Sequence, residues 1–212
     1  MKLYGYWRSS AAYRVRIALH LKGLDFESSS VHLIKNGGEQ HQQNYVELNP
    51  NHLVPTLVDG DLVLNQSIAI IDYLEAKYPQ KPLYPIELTA KAKVQAFALD
   101  IACEIHPLNN LRIQQYLTQN LAVDDDKKLA WLHHWMALGF TALEKQLQQN
   151  AGNFCFGEQV TMADLCLVPQ VYNAVRFNLD MSPYPLITKV VENCNQLTAF
   201  IKALPENQPD AL

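Results

Sequence analysis

The chain has 212 residues, with hydrophobic residues at 49%, charged residues at 18% and a formal net charge of -4. That length allows one large domain or two small ones with enough apolar material for a core, and the composition excludes disorder as the dominant state. A mildly acidic balance without a basic block argues against a nucleic-acid protein, whose affinity would rest on neutralising phosphates, but is compatible with an anionic small molecule held by a local cluster of Arg.

Lys2 to Tyr6 reads as a short aromatic strand, with no signal-peptide-like apolar stretch before it, and no run of about eighteen apolar residues follows, so a cytoplasmic protein is expected. From Ser10, the apolar positions Val15, Ala18 and Leu19 keep helical spacing until Gly23, which suits the residue just past a helix end. Phe26 to Leu33 is expected as a second strand, completing a βαβ-sized unit. Val54 to Leu64 sets Asp59-Gly60 between two apolar runs, a strong hairpin signal, and Val54-Pro55 is expected to open an edge-like strand. Helix resumes after Gln66-Ser67 through Ile68, Ile71 and Leu74 to Tyr78.

Pro79, Pro82 and Pro85 then mark a linker, because no helix or central strand accepts so many prolines. Beyond it everything reads as helix: Val94, Phe97, Ile101, Ile105 and Leu108 form one stripe, and Leu132, Met136, Leu143 and Leu147 another. Thr161-Met162-Ala163-Asp164 resembles a capping box, and Glu206 to Leu212 is expected to fray. The domain boundaries that follow are 1–80, a linker at 81–87, and an all-helical 88–212. The four cysteines, Cys103, Cys155, Cys166 and Cys194, all lie in the second half without C-x-x-C spacing and are expected as buried free thiols.

Three segments carry chemistry. Trp7-Arg8-Ser9-Ser10-Ala11-Ala12 spans the end of the first strand and the start of the first helix, where unpaired N–H groups and a partial positive charge favour an anion. A redox protein of this design would place a C-x-x-C pair there; serines and alanines stand instead, so a thiolate is expected to arrive with a ligand. Taken alone, Ser9 or Ser10 is also readable as a plain N-cap. Val54-Pro55, if cis, would turn the Val54 backbone towards an extended peptide, and Gln66-Ser67 opens a second helix whose side chains suit an α-amino-acid carboxylate. A thiolate site, a peptide-pairing edge and a carboxylate site, in that order, describe the tripeptide glutathione.

With these segments the sequence resembles the cytosolic glutathione transferases of the zeta class, which includes maleylacetoacetate isomerases and related bacterial maleylpyruvate isomerases. The resemblance covers nearly the whole chain. It is carried by Ser9 to Leu19, Asn49 to Leu57, Gln66 to Ile70, Ile105-His106-Pro107-Leu108-Asn109-Asn110-Leu111-Arg112 and Tyr184-Pro185. It implies an α/β thioredoxin-like N-terminal domain, an all-α helical-bundle C-terminal domain, a homodimer, and glutathione bound by Ser9, Ser10, His41, Val54, Gln66 and Ser67. Many zeta enzymes read Ser-Ser-Cys where this chain has Ser9-Ser10-Ala11, which puts in doubt any chemistry that needs an enzyme thiol.

The activity implied is cis–trans isomerisation of an anionic keto-diacid, maleylacetoacetate to fumarylacetoacetate in tyrosine and phenylalanine catabolism, with glutathione as cofactor. Maleylpyruvate is the alternative substrate, and a broader transferase or a non-catalytic binding protein are further alternatives. Ser9 is the expected activator of the thiolate, and Arg8 and Arg176 the expected partners of the substrate's carboxylates, since a guanidinium holds a carboxylate with two hydrogen bonds. An arginine of either kind also reads as a surface charge or an interhelical ion pair. His106, Asn110 and Arg112, at a proline-interrupted part of the helix, are second-rank contacts; Arg14 and Arg16 are expected to be structural, and no metal is expected.

Overall fold

A computed structural model describes residues 1–211 and divides the chain into two compact units, Met1–Pro82 with Leu197–Leu212, and Leu83–Gln196. The boundary falls inside the expected linker. The C-terminal segment, expected in the helical domain, belongs instead to the first unit.

In the first unit the order is β1 (Lys2–Gly5), α1 (Ser10–Lys22), β2 (Glu27–Ser30), α2 (Gln43–Val46), β3 (Thr56–Asp59), β4 (Leu62–Asn65) and α3 (Ser67–Lys77). The strands form one mixed sheet in the order β2-β1-β3-β4, with β1 and β2 parallel and the other pairs antiparallel. Leu3 and Leu57, opposite each other in the register, are buried with Val15, Ala18 and Leu19 of α1 and Ile70, Ile71 and Leu74 of α3. Glycine places α1 at both ends. A Cβ on Gly5 would stand 3.2 Å from that of Ala12, so its absence lets the first turn close on the strand. Gly23, at φ 71°, ends the helix with bonds from its N–H to the His20 carbonyl and from Leu24 N–H to the Leu19 carbonyl. Lys22 then ties α1 to α3 through Glu75 at 2.7 Å.

Two sequence expectations are corrected here. The second strand is shorter than Phe26–Leu33, because after the Val31 N–H bonds the Gly5 carbonyl the chain turns away, His32 Nδ1 accepting from Ile34 and Lys35 N–H. The strand after Pro55 is central rather than edge-like; proline is tolerated because it precedes the first paired residue, Thr56, and needs no ladder bond.

The second unit is built of α4 (Leu88–Leu99), α5 (Leu111–Gln115), α6 (Asp125–Asn150), α7 (Met162–Arg176) and α8 (Pro185–Asn195). The helix carrying the first stripe is interrupted where its proline was expected to break it, and earlier as well: α4 passes into a π turn at Asp100–Ile105 and a 3-10 turn at His106–Asn109. Pro107, which lacks an N–H, falls in that second turn. Val94, Phe97, Ile101 and Ile105 are nonetheless buried, as are Leu132, Met136, Leu143 and Leu147 on α6. All four cysteines are free; Cys155, Cys166 and Cys194 are buried, but Cys103 is exposed because it lies on the outward side of the π turn. No helix among the described residues is long and apolar enough to cross a membrane.

The chain returns to the first unit through α9 (Thr198–Ala203), which packs on α1. The segment after it does not fray as expected: Pro205–Asn207 form a 3-10 turn, and Asp210 is hydrogen-bonded to the loop after β1. Leu212, the last residue of the expected tail, lies outside the described residues.

Candidate active site

The loop from β1 to α1 is a tight turn, Ser9 N–H donating to the Tyr6 carbonyl at 2.9 Å. Ser9 is the N-cap of α1, its Oγ accepting from Ala12 N–H at 3.2 Å, and no acidic residue occupies the first turn. The serine keeps its hydroxyl proton for another acceptor, and the other N–H groups of the first turn keep their field. Ser10 is buried at the first helical position, whereas Arg8 is partly exposed, its guanidinium 4.5 Å from the Trp7 ring centroid and donating to Tyr6 Oη at 3.2 Å.

The second site segment is the N-terminus of α3. Gln66 takes φ 68°, a conformation that turns the chain sharply into the helix, and its own side chain does not cap that end. Ser67, only 5% exposed, accepts at Oγ from Nη1 of Arg14, which is 2% exposed, at 3.3 Å. A guanidinium can only donate, so this contact leaves the serine proton aimed elsewhere, and the buried cation makes that hydroxyl a better donor to an anion. Sequence reasoning assigned Arg14 no site role. The signal was present in a charged residue standing among the buried positions Tyr13, Val15 and Ile17 of an apolar helix.

Between these segments lies the loop that ends at Val54, joined to Pro55 by a cis bond. Buried Asn49 organises it: Nδ2 donates to the Leu53 carbonyl at 2.7 Å, and Oδ1 accepts from Asn51 N–H and Asn65 Nδ2. Tyr45 Oη adds a second bond to the Leu53 carbonyl at 2.6 Å, so the backbone beside Val54 is held from two directions. His41 is exposed and its Nδ1 lies 3.0 Å from Nδ1 of His52, while Gln40 Nε2 approaches its Nε2 at 3.2 Å. The Gln40 amide nitrogen can only donate, so His41 accepts at Nε2 and donates from Nδ1 to His52, and Gln40 fixes the tautomer that His41 presents.

The second unit carries the remaining candidates. Arg176, at the end of α7, donates to Asn173 Oδ1 at 2.9 Å; Asn173 Nδ2 donates to Asn109 Oδ1 at 3.0 Å, and Asn109 Nδ2 to the Ile105 carbonyl at 2.8 Å. The helix interruption thus exposes one carbonyl that orients two amides and, through them, the arginine. Asn173 and Asn109 were missed in sequence because amides on a helix carry no pattern of their own. Asn110 is committed as the N-cap of α5, accepting from Arg112 N–H; Arg112 is exposed, and His106 opens the 3-10 turn. His133 meets the Phe177 carbonyl through Nε2 at 2.7 Å.

The helix starts of the two units differ in charge, α5 with its Asn110 cap excepted. In the second, Glu87, Asp124 and Glu144 place a carboxylate on the first N–H groups of α4, α6 and α8, and Asp164 places one on the N–H of Thr161, the N-cap of α7. The backbone bonds from Thr89 and Ala90 hold the Glu87 carboxyl below the ordinary value, while burial pushes that of Asp164 up despite its own bonds. In the first unit α1 and α3 have no such carboxylate.

Comparison with known proteins is consistent along the chain. Residues 3–82 match the family model of the glutathione S-transferase N-terminal domain, and residues 113–208 that of the C-terminal domain. A probable maleylacetoacetate isomerase of Vibrio cholerae is 55% identical over 209 residues, covering 99% of this chain and 97% of that one. Among solved structures, the holo form of a bacterial zeta-class maleylpyruvate isomerase superposes with a TM-score of 0.97 at 44% identity over 100% of both chains. A maleylacetoacetate isomerase of Methylobacterium extorquens, solved with malonate and glutathione bound, superposes with a TM-score of 0.95 at 39% identity, again over 100% of both chains.

Proposed function

Because the chain belongs to the glutathione S-transferase family, zeta class, we propose that it is a glutathione-dependent cis–trans isomerase converting maleylacetoacetate to fumarylacetoacetate, the step that serves tyrosine and phenylalanine breakdown. The observation that carries this reading is the pair of helix starts in the first unit that carry serines but no carboxylate, Ser9 on α1 and the Arg14-held Ser67 on α3. Such starts fit a ligand that brings two anionic groups of its own, as a thiolate and an α-amino-acid carboxylate do.

Bound glutathione supplies the thiolate that adds reversibly to the cis double bond, opening it to rotation, and leaves unchanged. The chain's residues do the rest. Ser9 donates its hydroxyl proton to the sulfur, and with the α1 N-terminus lowers the thiol from its free value of about 8.5. Ser67 and Gln66 hold the γ-glutamyl carboxylate, and Val54 offers its backbone to the peptide; His41 and Ser10 complete the proposed contacts. Arg8 and Arg176 are assigned to the substrate's carboxylates and to the negative charge that develops on it, where stabilisation confined to the transition state raises the rate. His106, Asn110 and Arg112 are assigned lesser contacts. With Ala11 in the first turn of α1, no enzyme sulfur is available there, so the path requires no mixed disulfide.

The same reading includes a cytoplasmic homodimer. It is supported by four free cysteines and by Leu62 and Val63, exposed on the edge strand β4, and light scattering of the purified protein checks the assembly. The deciding assay follows loss of maleylacetoacetate absorbance with and without glutathione, then repeats it with maleylpyruvate, the alternative favoured by the structural likeness to that isomerase. Isomerisation that runs equally well without glutathione overturns the reading. Ser9→Ala is expected to lower kcat about a hundredfold, and Arg176→Ala chiefly to raise the substrate KM; an Arg176→Ala enzyme with both parameters intact removes that residue from the mechanism.

A further inference from the structure

The polar segment after α9 reaches the loop that carries Arg8 and Ser9. The Asp210 carboxylate accepts from the Trp7 backbone N–H at 3.1 Å and from the Ser30 hydroxyl at 2.9 Å, both on Oδ2. On the other side of the same residue, Arg16 Nη2 donates to the Trp7 carbonyl at 3.0 Å, while its Nε donates to the Ala203 carbonyl at 3.2 Å. Both backbone polar groups of Trp7 are therefore gripped, one by the segment after α9 and the other by an arginine anchored on α9. That segment is itself braced: Gln208 Nε2 donates to the Lys202 and Leu204 carbonyls at 3.0 and 2.8 Å, and Asn207 Nδ2 to the Ile201 carbonyl at 2.7 Å.

Trp7 and Arg8 are the two central residues of the turn closed by Ser9 N–H on the Tyr6 carbonyl. The peptide between the two central residues takes no part in the closing bond and can rotate with little movement of the ends, so that bond alone does not define what the turn presents. Arg16 fixes that Trp7–Arg8 peptide through its carbonyl, and Asp210 gives the Tyr6–Trp7 peptide, held at its carbonyl by the closing bond, a second hold at its N–H. The turn leads directly to the Ser9 cap, and the Trp7 ring carries the Arg8 guanidinium, so a misplaced Trp7 displaces both groups assigned to the reaction.

We propose that Asp210 is a positioning residue for the thiolate site, its carboxylate locking the Tyr6–Trp7 peptide so that Ser9 and Arg8 stand in one productive arrangement. The kinetic consequence rests on the glutathione reading above; the locking itself does not. A carboxylate suits the task because one oxygen accepts from both Trp7 N–H and Ser30 Oγ with charge assistance. An amide oxygen at the same position would keep both bonds in weaker form.

The test compares Asp210→Ala with Asp210→Asn, reading hydrogen exchange at the Trp7 amide of the ligand-free protein, the pH titration of bound glutathione thiol by thiolate absorbance, kcat, and the thermal midpoint. Asp210→Ala is expected to lose Trp7 amide protection, to shift the bound thiol titration upward, and to lower kcat about tenfold with a near-unchanged midpoint. Asp210→Asn is expected to retain kcat within about twofold, since the acceptor survives. An Asp210→Ala protein that keeps Trp7 protection, or keeps both kcat and the thiol titration, overturns the inference. So does an equal loss in both variants that tracks a fall in the midpoint. A wild-type protein that leaves the glutathione thiol at its free value refutes the glutathione reading instead, and Trp7 exchange then decides the locking alone.

Discussion

The helices of the two units begin in opposite ways. At α7 in the second unit, Asp164, fully buried, accepts from Thr161 N–H at 2.7 Å, from Cys155 N–H at 2.8 Å and from the Thr161 hydroxyl at 3.0 Å, so the first turn carries a carboxylate already held by its own chain. At α1 in the first unit, Ser9 takes one N–H, and no acid is present to take more. Each is a hydroxyl residue opening a helix, and the local sequence separates them at one position, Asp164 standing where α1 has Ala12. The difference is whether a negative charge is built into the chain or left for a ligand to bring. A closed start stabilises a fold, and an open one is a binding site.

That contrast is broken most strongly at its closed end. Asp164→Ala leaves the Thr161 and Cys155 N–H groups without their buried acceptor and is expected to lower unfolding stability by about 3 kcal/mol, read as a shift in urea midpoint at constant slope. The protein that remains folded is expected to isomerise at the wild-type rate, because Asp164 touches no group assigned to the chemistry. At the open end the next effect in size is Arg14→Met. Removing the cation behind Ser67 is expected to raise the glutathione KM about tenfold with kcat nearly unchanged. A glutathione analogue lacking the γ-glutamyl α-carboxylate checks the route: wild-type and Arg14→Met are expected to use it equally, and a persisting difference assigns Arg14 to packing alone.

The smallest effect sharpens the comparison by converting one kind of start into the other. Ala11→Asp puts a carboxylate into the first turn of α1, where it is expected to add about 0.5 kcal/mol of stability through the helix dipole. The same charge competes with the thiolate, so the glutathione KM and the bound thiol titration are both expected to rise. Stability gained with unchanged thiol titration would show that the α1 field is not what activates sulfur.

Much of this was legible in the residues. Gly23, Asp59-Gly60 and the Pro79–Pro85 run act through backbone geometry that needs no distant partner, and each stood where the structure ends a helix, turns a hairpin or changes unit. The capping box at Thr161 and Asp164 was readable for the same reason, its two members being one turn apart. The extent of β2, the π turn ahead of Pro107 and the exposure of Cys103 were not, because each is set by which neighbour a backbone group finds rather than by the side chain it carries.

The sequence by itself determined two compositionally different halves, an open helix start with serines in place of sulfur, and a second start at Gln66-Ser67 that suits a carboxylate. Only the tertiary structure decided that the last segment belongs to the first unit, that Arg14 stands behind Ser67, and that Asp210 reaches Trp7. Those contacts join residues 53 and 203 positions apart. Caps, turns and helix fields act within a few residues and leave a local pattern, whereas a hydrogen bond across the chain depends on where the whole fold brings its two ends.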